Sequence, residues 1–363
     1  MIVVVGAGIA GLCAALAAAG DSRLGSEGLS ASGRASIPKN GTYRPQEVLL
    51  VCKDKFVESN TYHAQGGVAT AIFNDDSPAL HATDTMAAGH GLCDRTAVDI
   101  LTDEGARRVR ELIGDGWHVD RDGEGHVLRG LEAAHCRSRV VHAGGDATGK
   151  VLELDVSAMV RENPNITVLE HAFLNDVLVR DGHVAGVRLA VRDAQDGVET
   201  RVVDTDRVVL ATGGAGRLFP YTTNPAVATG DGLAAAIRAG AQVADLEFYQ
   251  FHPTALAIGE HFLVSEAVRG EGAVLLDEHG HRFMADIDPK AELRATWWRE
   301  PTSVPCRRKA VSRSCSTFHP WAKRTLIWRN SYATGSQPST PTRVRSASIG
   351  ARNPFPWLPR PTT

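Results

Sequence analysis

The chain has 363 residues, 43% hydrophobic content and a formal net charge of −3. That is ordinary for a soluble protein of about two domains, and no window reads as a membrane span. Six cysteines (Cys13, Cys52, Cys93, Cys136, Cys306, Cys315) form no CxxC pair, which argues against zinc, iron–sulfur or disulfide scaffolds and suits a reducing cytoplasm.

The first strand is predicted over the β-branched run Ile2–Val5, followed by Gly6-Ala7-Gly8-Ile9-Ala10-Gly11 and a small-residue helix from Leu12. This is the strand–turn–helix of a dinucleotide site. Gly6 permits the tight turn, Gly8 lets a pyrophosphate approach the backbone, and Gly11 lets the helix lie close on the strand. No Lys or Arg precedes the run and three glycines interrupt it, so it is not read as a signal peptide. Residues 21–46, rich in Gly, Ser and Pro, read as an inserted surface loop, and the strand pattern resumes at Glu47–Cys52. Dinucleotide folds often end this strand on an acidic residue; here it ends on Lys53, read either as an adenosine-side contact or as a solvated lysine.

The next stretch, Ser59-Asn60-Thr61-Tyr62-His63-Ala64-Gln65-Gly66-Gly67, is polar and small, with backbone N–H groups suited to wrapping a ligand. It resembles the flavin-contacting loop of the succinate dehydrogenase/fumarate reductase flavoprotein family and is closest to the L-aspartate oxidase branch. Membrane-bound members carry a histidine in an S-H-T context for covalent attachment. This chain has Ser59-Asn60-Thr61, so the resemblance implies noncovalent FAD.

Helices are expected over residues 81–89 and 97–112, with Val98, Leu101, Val109 and Leu112 toward the core, and a β-hairpin over 117–129. Residues 131–149 hold two His, two Arg and Glu132 in a short span. The plain reading is a solvated basic strand. The resemblance instead matches Glu132 and His135 to a family E-G-G-H-S segment whose glutamate faces the substrate amino group, although Ala133 and Ala134 replace the glycines. Alanine there is strained if the backbone needs φ > 0.

Residues 166–203 alternate strand-like runs with Asp-Gly turns and suggest an antiparallel appendage. The apolar run from Arg207 then ends in Ala211-Thr212-Gly213-Gly214, a second dinucleotide-type signature. Asp231, between Gly230 and Gly232, suits a helix start, and the resemblance assigns it to FAD. It also implies that His252, in Phe251-His252-Pro253-Thr254, and Ser265, in Leu263–Ala273, hold a substrate carboxylate. Arg269 and Glu271 match the same segment and read as a structural ion pair.

The resemblance runs to about Glu292. Beyond Leu293 lie five of the six tryptophans and nine of the seventeen prolines, and from Arg294 onward 13 Lys and Arg face the lone acidic Glu300, without helical or strand periodicity. An alternative reading frame of residues 293–301 permits Pro-Arg-Asp-Val-Val-Ala-Arg-Ala, matching a family motif that carries the catalytic arginine, so the tail is read as out of frame rather than as nucleic-acid binding.

The expected fold is α/β: a two-dinucleotide-binding, Rossmann-like FAD domain over residues 1–240 with an antiparallel β appendage, the start of an α+β capping domain over 241–293, and an irregular basic tail over 294–363. The resemblance implies oxidation of L-aspartate to iminoaspartate, with O2 or fumarate as acceptor, feeding quinolinate synthase and NAD biosynthesis in the cytoplasm. It implies no metal, nucleic-acid or membrane partner. A soluble fumarate reductase or succinate dehydrogenase flavoprotein, or an inactive remnant, is the alternative.

Overall fold

The computed structural model describes residues 1–21, 23 and 45–249 apart from 133, 194, 196 and 221, and beyond them 255, 263–264, 273–276, 280–286, 289, 291 and 325–327. Most of the 21–46 loop lies outside the described residues, as do Phe251, His252, Pro253, Thr254, Ser265, Arg269 and Glu271. The chain divides into two compact units, Met1–Pro253 and Thr254–Thr363.

The first unit is built on a four-stranded parallel sheet in the order β10-β1-β2-β6. Its strands are β1 (Ile2–Val5), β2 (Val48–Val51), β6 (Ile166–Leu169) and β10 (Val208–Leu210). Strand β1 pairs on one side with β2, Val4 opposite Leu50, and on the other with β10, Val4 opposite Val209. Both faces of β1 and β2 are covered, so these strands are apolar throughout, as burial on two sides requires. Val4 and Leu50 face a core built with α1 (Ile9–Ala18) and α4 (Thr148–Glu162). Val3, Val5 and Val51 face the opposite core, against the antiparallel sheet β7 (Ala172–Arg180), β8 (His183–Arg192), β9 (Val198–Asp204). The β7–β8 turn uses Asp181 (φ 52°) and Gly182 (φ 77°), two successive left-handed residues of a primed hairpin turn.

The expected antiparallel appendage is present, with one correction. Residues 166–169 do not belong to it: β6 pairs in parallel with β2, Val48 opposite Ile166. A short apolar strand has no mark of its own that says which neighbour it will pair with; here α4 returns the chain to the edge of the parallel sheet.

Helices α2 (Pro78–Gly89) and α3 (Arg95–Gly114) are capped by Ser77 and Asp94, whose side chains accept from Leu80 N and Ala97 N. The buried stripe of α3 is Val98, Thr102, Ala106 and Val109. Leu101, expected in the core, is 66% exposed. The 3.6-residue period that places 98, 102, 106 and 109 on one face turns position 101 away from it. The hairpin expected over 117–129 is present as an antiparallel bridge between Arg121 and Val127. A small sheet of β3 (Val68–Ala69), β4 (Arg129–Gly130) and β5 (Val140–Val141) follows, in the order β3-β5-β4. The unit also contains α5 (Asp231–Arg238).

In the second unit, β11 (Val274–Leu276) pairs antiparallel with β12 (Thr325–Ile327). Leu275, Met284 and Ala291 form a small buried cluster. The tail expected to be irregular therefore contributes one short strand.

Candidate cofactor and substrate sites

At the carboxyl ends of β1 and β10, two glycine segments meet. Gly6 has φ 107°, and a Cβ there would lie 2.2 Å from the Ala211 carbonyl oxygen. A Cβ at Gly11 would lie 1.8 Å from the Gly6 carbonyl oxygen. Only hydrogen fits at either position, so helix α1 starts tight against the turn, while Gly8 (φ −76°, ψ 177°) is extended and serves as its N-cap without a side-chain bond. Amides at an uncapped helix start are a natural seat for phosphate oxygens. One of them is already taken: Ile9 N donates to Thr61 Oγ1 at 3.1 Å. The 59–62 turn is thereby tied to the glycine turn.

These elements enclose a cavity of about 480 Å³. Of the residues expected to hold a cofactor, Gly6, Ala7, Gly8, Ile9, Ala10, Lys53, Asn60, Thr61, Ala211, Thr212, Gly213 and Asp231 line it. Gly11, Tyr62, His63, Ala64, Gln65, Gly66, Gly67 and Gly214 do not. Gly11 acts through packing. His63 Nε2 lies 3.0 Å from Glu58 Oε1, and Gly67 packs where a Cβ would meet Val140 Cγ1 at 2.4 Å.

Lys53 is paired rather than solvated. Its ammonium donates to Asp231 Oδ2 and to the Thr229 hydroxyl, and it lies 5.9 Å from the centre of the Phe173 ring. Burial alone would raise the Asp231 carboxyl, but the bonds from Lys53 and Thr229 hold it below the ordinary carboxylate range. Asp231 begins α5 after Gly230 (φ 76°), and Gly232 lies so close to Thr212 that a Cβ would meet Thr212 Oγ1 at 2.0 Å. The Ala211–Gly213 segment and the start of α5 are thus one packed unit facing the cavity. A long, narrow dinucleotide with an anionic centre fits this donor set: glycine turns that admit no side chain, an uncapped helix start and a lysine–aspartate pair at the strand ends.

Glu132 lies elsewhere. It is exposed and its carbonyl accepts from His135 N at 3.0 Å, forming a turn after β4. Ala134 is not among the residues with positive φ, so the strain expected from alanine does not arise there; Ala133 lies outside the described residues. Nor is the segment a simple solvated strand. Arg139 is fully buried and forms a forked pair with Asp76, Nε to Oδ2 at 2.8 Å and Nη2 to Oδ1 at 2.9 Å. Its Nη1 donates to Asp84 Oδ2 at 2.7 Å, and the same oxygen accepts from Cys136 N at 2.9 Å. Burial would raise Asp84, but these bonds from Cys136 and Arg139 keep it low. His81 on α2 meets His135 edge-on at 5.8 Å, and burial, then the Arg139 and His135 charges, lower its pKa. The Glu132 turn is therefore bolted to α2 by charge. Nothing in the sequence marks Asp76, Asp84 or the buried role of Arg139.

Among the described residues, no helix is long and apolar enough to cross a membrane, and no group of three or more His, Cys, Asp or Glu is placed to hold a metal.

A family model described as "FAD binding domain" matches residues 40–317, continuing past Glu292 into the basic segment. An L-aspartate oxidase of Xylella fastidiosa is 43% identical over 81% of this chain and 52% of its own length. That of Mesorhizobium japonicum is 45% identical over 80% and 51%. The chain spans about half the length of the curated relatives it matches. Among solved structures, E. coli quinol fumarate reductase superposes with a TM-score of 0.70 at 28% identity, over 92% of this chain and 54% of that one.

Proposed function

The chain belongs to the FAD-binding domain family, and from that premise we propose that it serves the FAD-dependent oxidation of L-aspartate to iminoaspartate. The observation that carries the reading is the cavity in which the Gly6–Gly11 and Ala211–Gly213 segments meet the 59–61 turn. The identity of 43–45% to L-aspartate oxidases supports the choice of substrate. FAD supplies the two-electron redox chemistry. The chain's own part is to bind and orient: the amides at the start of α1 for the phosphates, Lys53 and Asp231 at the strand ends, and Asn60 and Thr61 along the 59–61 turn, with no histidine in the Asn60 position for covalent attachment. Glu132 is proposed to receive the substrate ammonium, since a carboxylate suits a cation and succinate offers none. His252 and Ser265 are proposed for the side-chain carboxylate. O2 or fumarate would accept the electrons, and quinolinate synthase in a cytoplasmic route to NAD would take the product. The segment 294–363 is proposed to be read out of frame; a DNA trace without the alternative-frame motif would refute it.

The structural likeness to fumarate reductase favours a second reading, a dicarboxylate reductase or dehydrogenase. Anaerobic mixing of the FAD-loaded chain with L-aspartate and, separately, with succinate decides between them. Bleaching of the visible flavin absorbance by aspartate alone supports the oxidase; bleaching by succinate alone supports the second reading.

A further inference from the structure

A buried carboxyl lies behind the cofactor loop. Glu153 on α4 is fully buried, and neither carboxyl oxygen has a hydrogen-bond partner within ordinary geometry; the Ser157 hydroxyl, one turn on, is buried and unpartnered too. An ionised carboxylate in such a place is costly unless it is paired. Its neighbours define its position. One turn earlier, Gly149 packs against the loop so closely that a Cβ would lie 2.0 Å from the Thr61 carbonyl oxygen and 2.7 Å from Ala64 Cβ. Gly149 N donates to Ala64 O at 3.0 Å. From the loop the Ser59 hydroxyl acts on the carboxyl, and from α1 the titratable group coupled to it is the Cys13 thiol. Ser59 Oγ in turn accepts from Tyr62 N at 3.1 Å, and Thr61 Oγ1 accepts from Ile9 N. Burial pushes the Glu153 carboxyl up to about 7, against the opposing influence of Ser59. Burial and, second, Glu153 push Cys13 up to about 11. Near neutral pH, then, Glu153 changes charge while Cys13 stays a neutral thiol.

We propose that Glu153 is a positioning residue for the cofactor loop: protonated, it lets the Ser59–Tyr62 turn seat on α4 and receive FAD, and ionised, it draws water beneath that turn and weakens FAD binding. The proposal rests on the FAD assignment. Seating the turn takes up a proton wherever the seated carboxyl is harder to ionise than the hydrated one. Stability and affinity are therefore full at low pH, fall as pH rises from about 4.5 toward about 7, and stay low above it.

The test is FAD titration of the full 363-residue chain by quenching of flavin fluorescence between pH 5 and 8, with thermal unfolding recorded at each pH. In the wild type the FAD Kd should weaken by at least about fivefold from pH 5 to pH 8. Glu153→Gln keeps the shape without the charge and should show less than about a twofold change across the same range. Ser59→Ala, which removes the hydroxyl that favours the ionised form, should move the step to higher pH. An equal pH dependence in wild type and Glu153→Gln, or a flat wild type, overturns the proposal. Absence of FAD binding at every pH defeats the FAD assignment instead, and unfolding then decides about Glu153. The wild-type midpoint should fall with pH and the Gln variant's should not; matching curves overturn the role assigned to the carboxyl.

Discussion

The cofactor cavity and the Glu132 turn, proposed to face substrate, are built by opposite means. Around the cavity, position is set by close approach at glycine: Gly6 against the Ala211 carbonyl, Gly11 against the Gly6 carbonyl, Gly232 against the Thr212 side chain. At the Glu132 turn, position is set by charge, through Arg139 gripping Asp76 and Asp84 from a site closed to water. The first arrangement fails on any added atom and ignores most changes of charge. The second tolerates changes of shape and fails when one partner is neutralised. A dinucleotide phosphate can be held by N–H groups alone, whereas the exposed Glu132 turn lies over counter-charges fixed beneath it.

The largest effect should follow Gly11→Ala. Its methyl would sit 1.8 Å from the Gly6 carbonyl oxygen, and because that neighbour is backbone, α1 must shift. FAD binding should weaken by about a hundredfold or more, an order of magnitude expected when a backbone seat for phosphate is displaced. Fluorescence titration measures it, and a loss under tenfold would show that the turn is less tightly specified than the distances imply.

Arg139→Met should come next. It leaves Asp76 buried without its counter-charge, for a cost of about 3–5 kcal/mol. Urea unfolding reads the loss, and the companion substitution Asp76→Asn in the same chain should recover part of it. No recovery would mean that Arg139 matters for packing rather than charge. The contrast predicts a further difference: partial recovery by a second substitution is expected here and not at Gly11.

A smaller effect is expected from Asp231→Asn. It keeps the shape at the start of α5 but gives up the charge-assisted bond to Lys53, which is about a quarter exposed on both sides and therefore screened. FAD affinity should fall by about tenfold or less. The smallest effect belongs to Leu101→Gln, within about 0.5 kcal/mol in unfolding, because this leucine is mostly in solvent. A larger loss would place Leu101 in a contact that its exposure does not show.

The contrast also explains what could be read from the sequence. The glycine segments were legible because sterics leave no other residue at Gly6 and Gly11, and the strand and helix beside them have the expected patterns. The Asp181-Gly182 turn was legible for the same reason: two left-handed residues in succession leave a chemical mark. Arg139 was not legible as a buried group, since its partners Asp76 and Asp84 lie 63 and 55 residues away. An arginine in a basic run looks the same whether solvent or carboxylates surround it. Because α3 buries Thr102 and Ala106 in its stripe, hydrophobicity alone turns Leu101 to the wrong face. Strand β6 reads in sequence as part of the appendage because adjacency along the chain says nothing about pairing across the parallel sheet. Glu153 looks in sequence like any helix-surface glutamate, and its burial follows from the packing of α4 against distant parts of the chain such as the 61–64 loop.

The glycine-built cofactor seat is tested most directly by the visible spectrum of the purified 363-residue chain after incubation with FAD and removal of unbound cofactor, with Gly11→Ala treated in parallel. The wild type should retain close to one flavin per chain and release it on denaturation, as noncovalent binding requires, while the variant retains little. Equal retention by both proteins, or a wild type that holds no flavin, would contradict a cofactor seat built on Gly11.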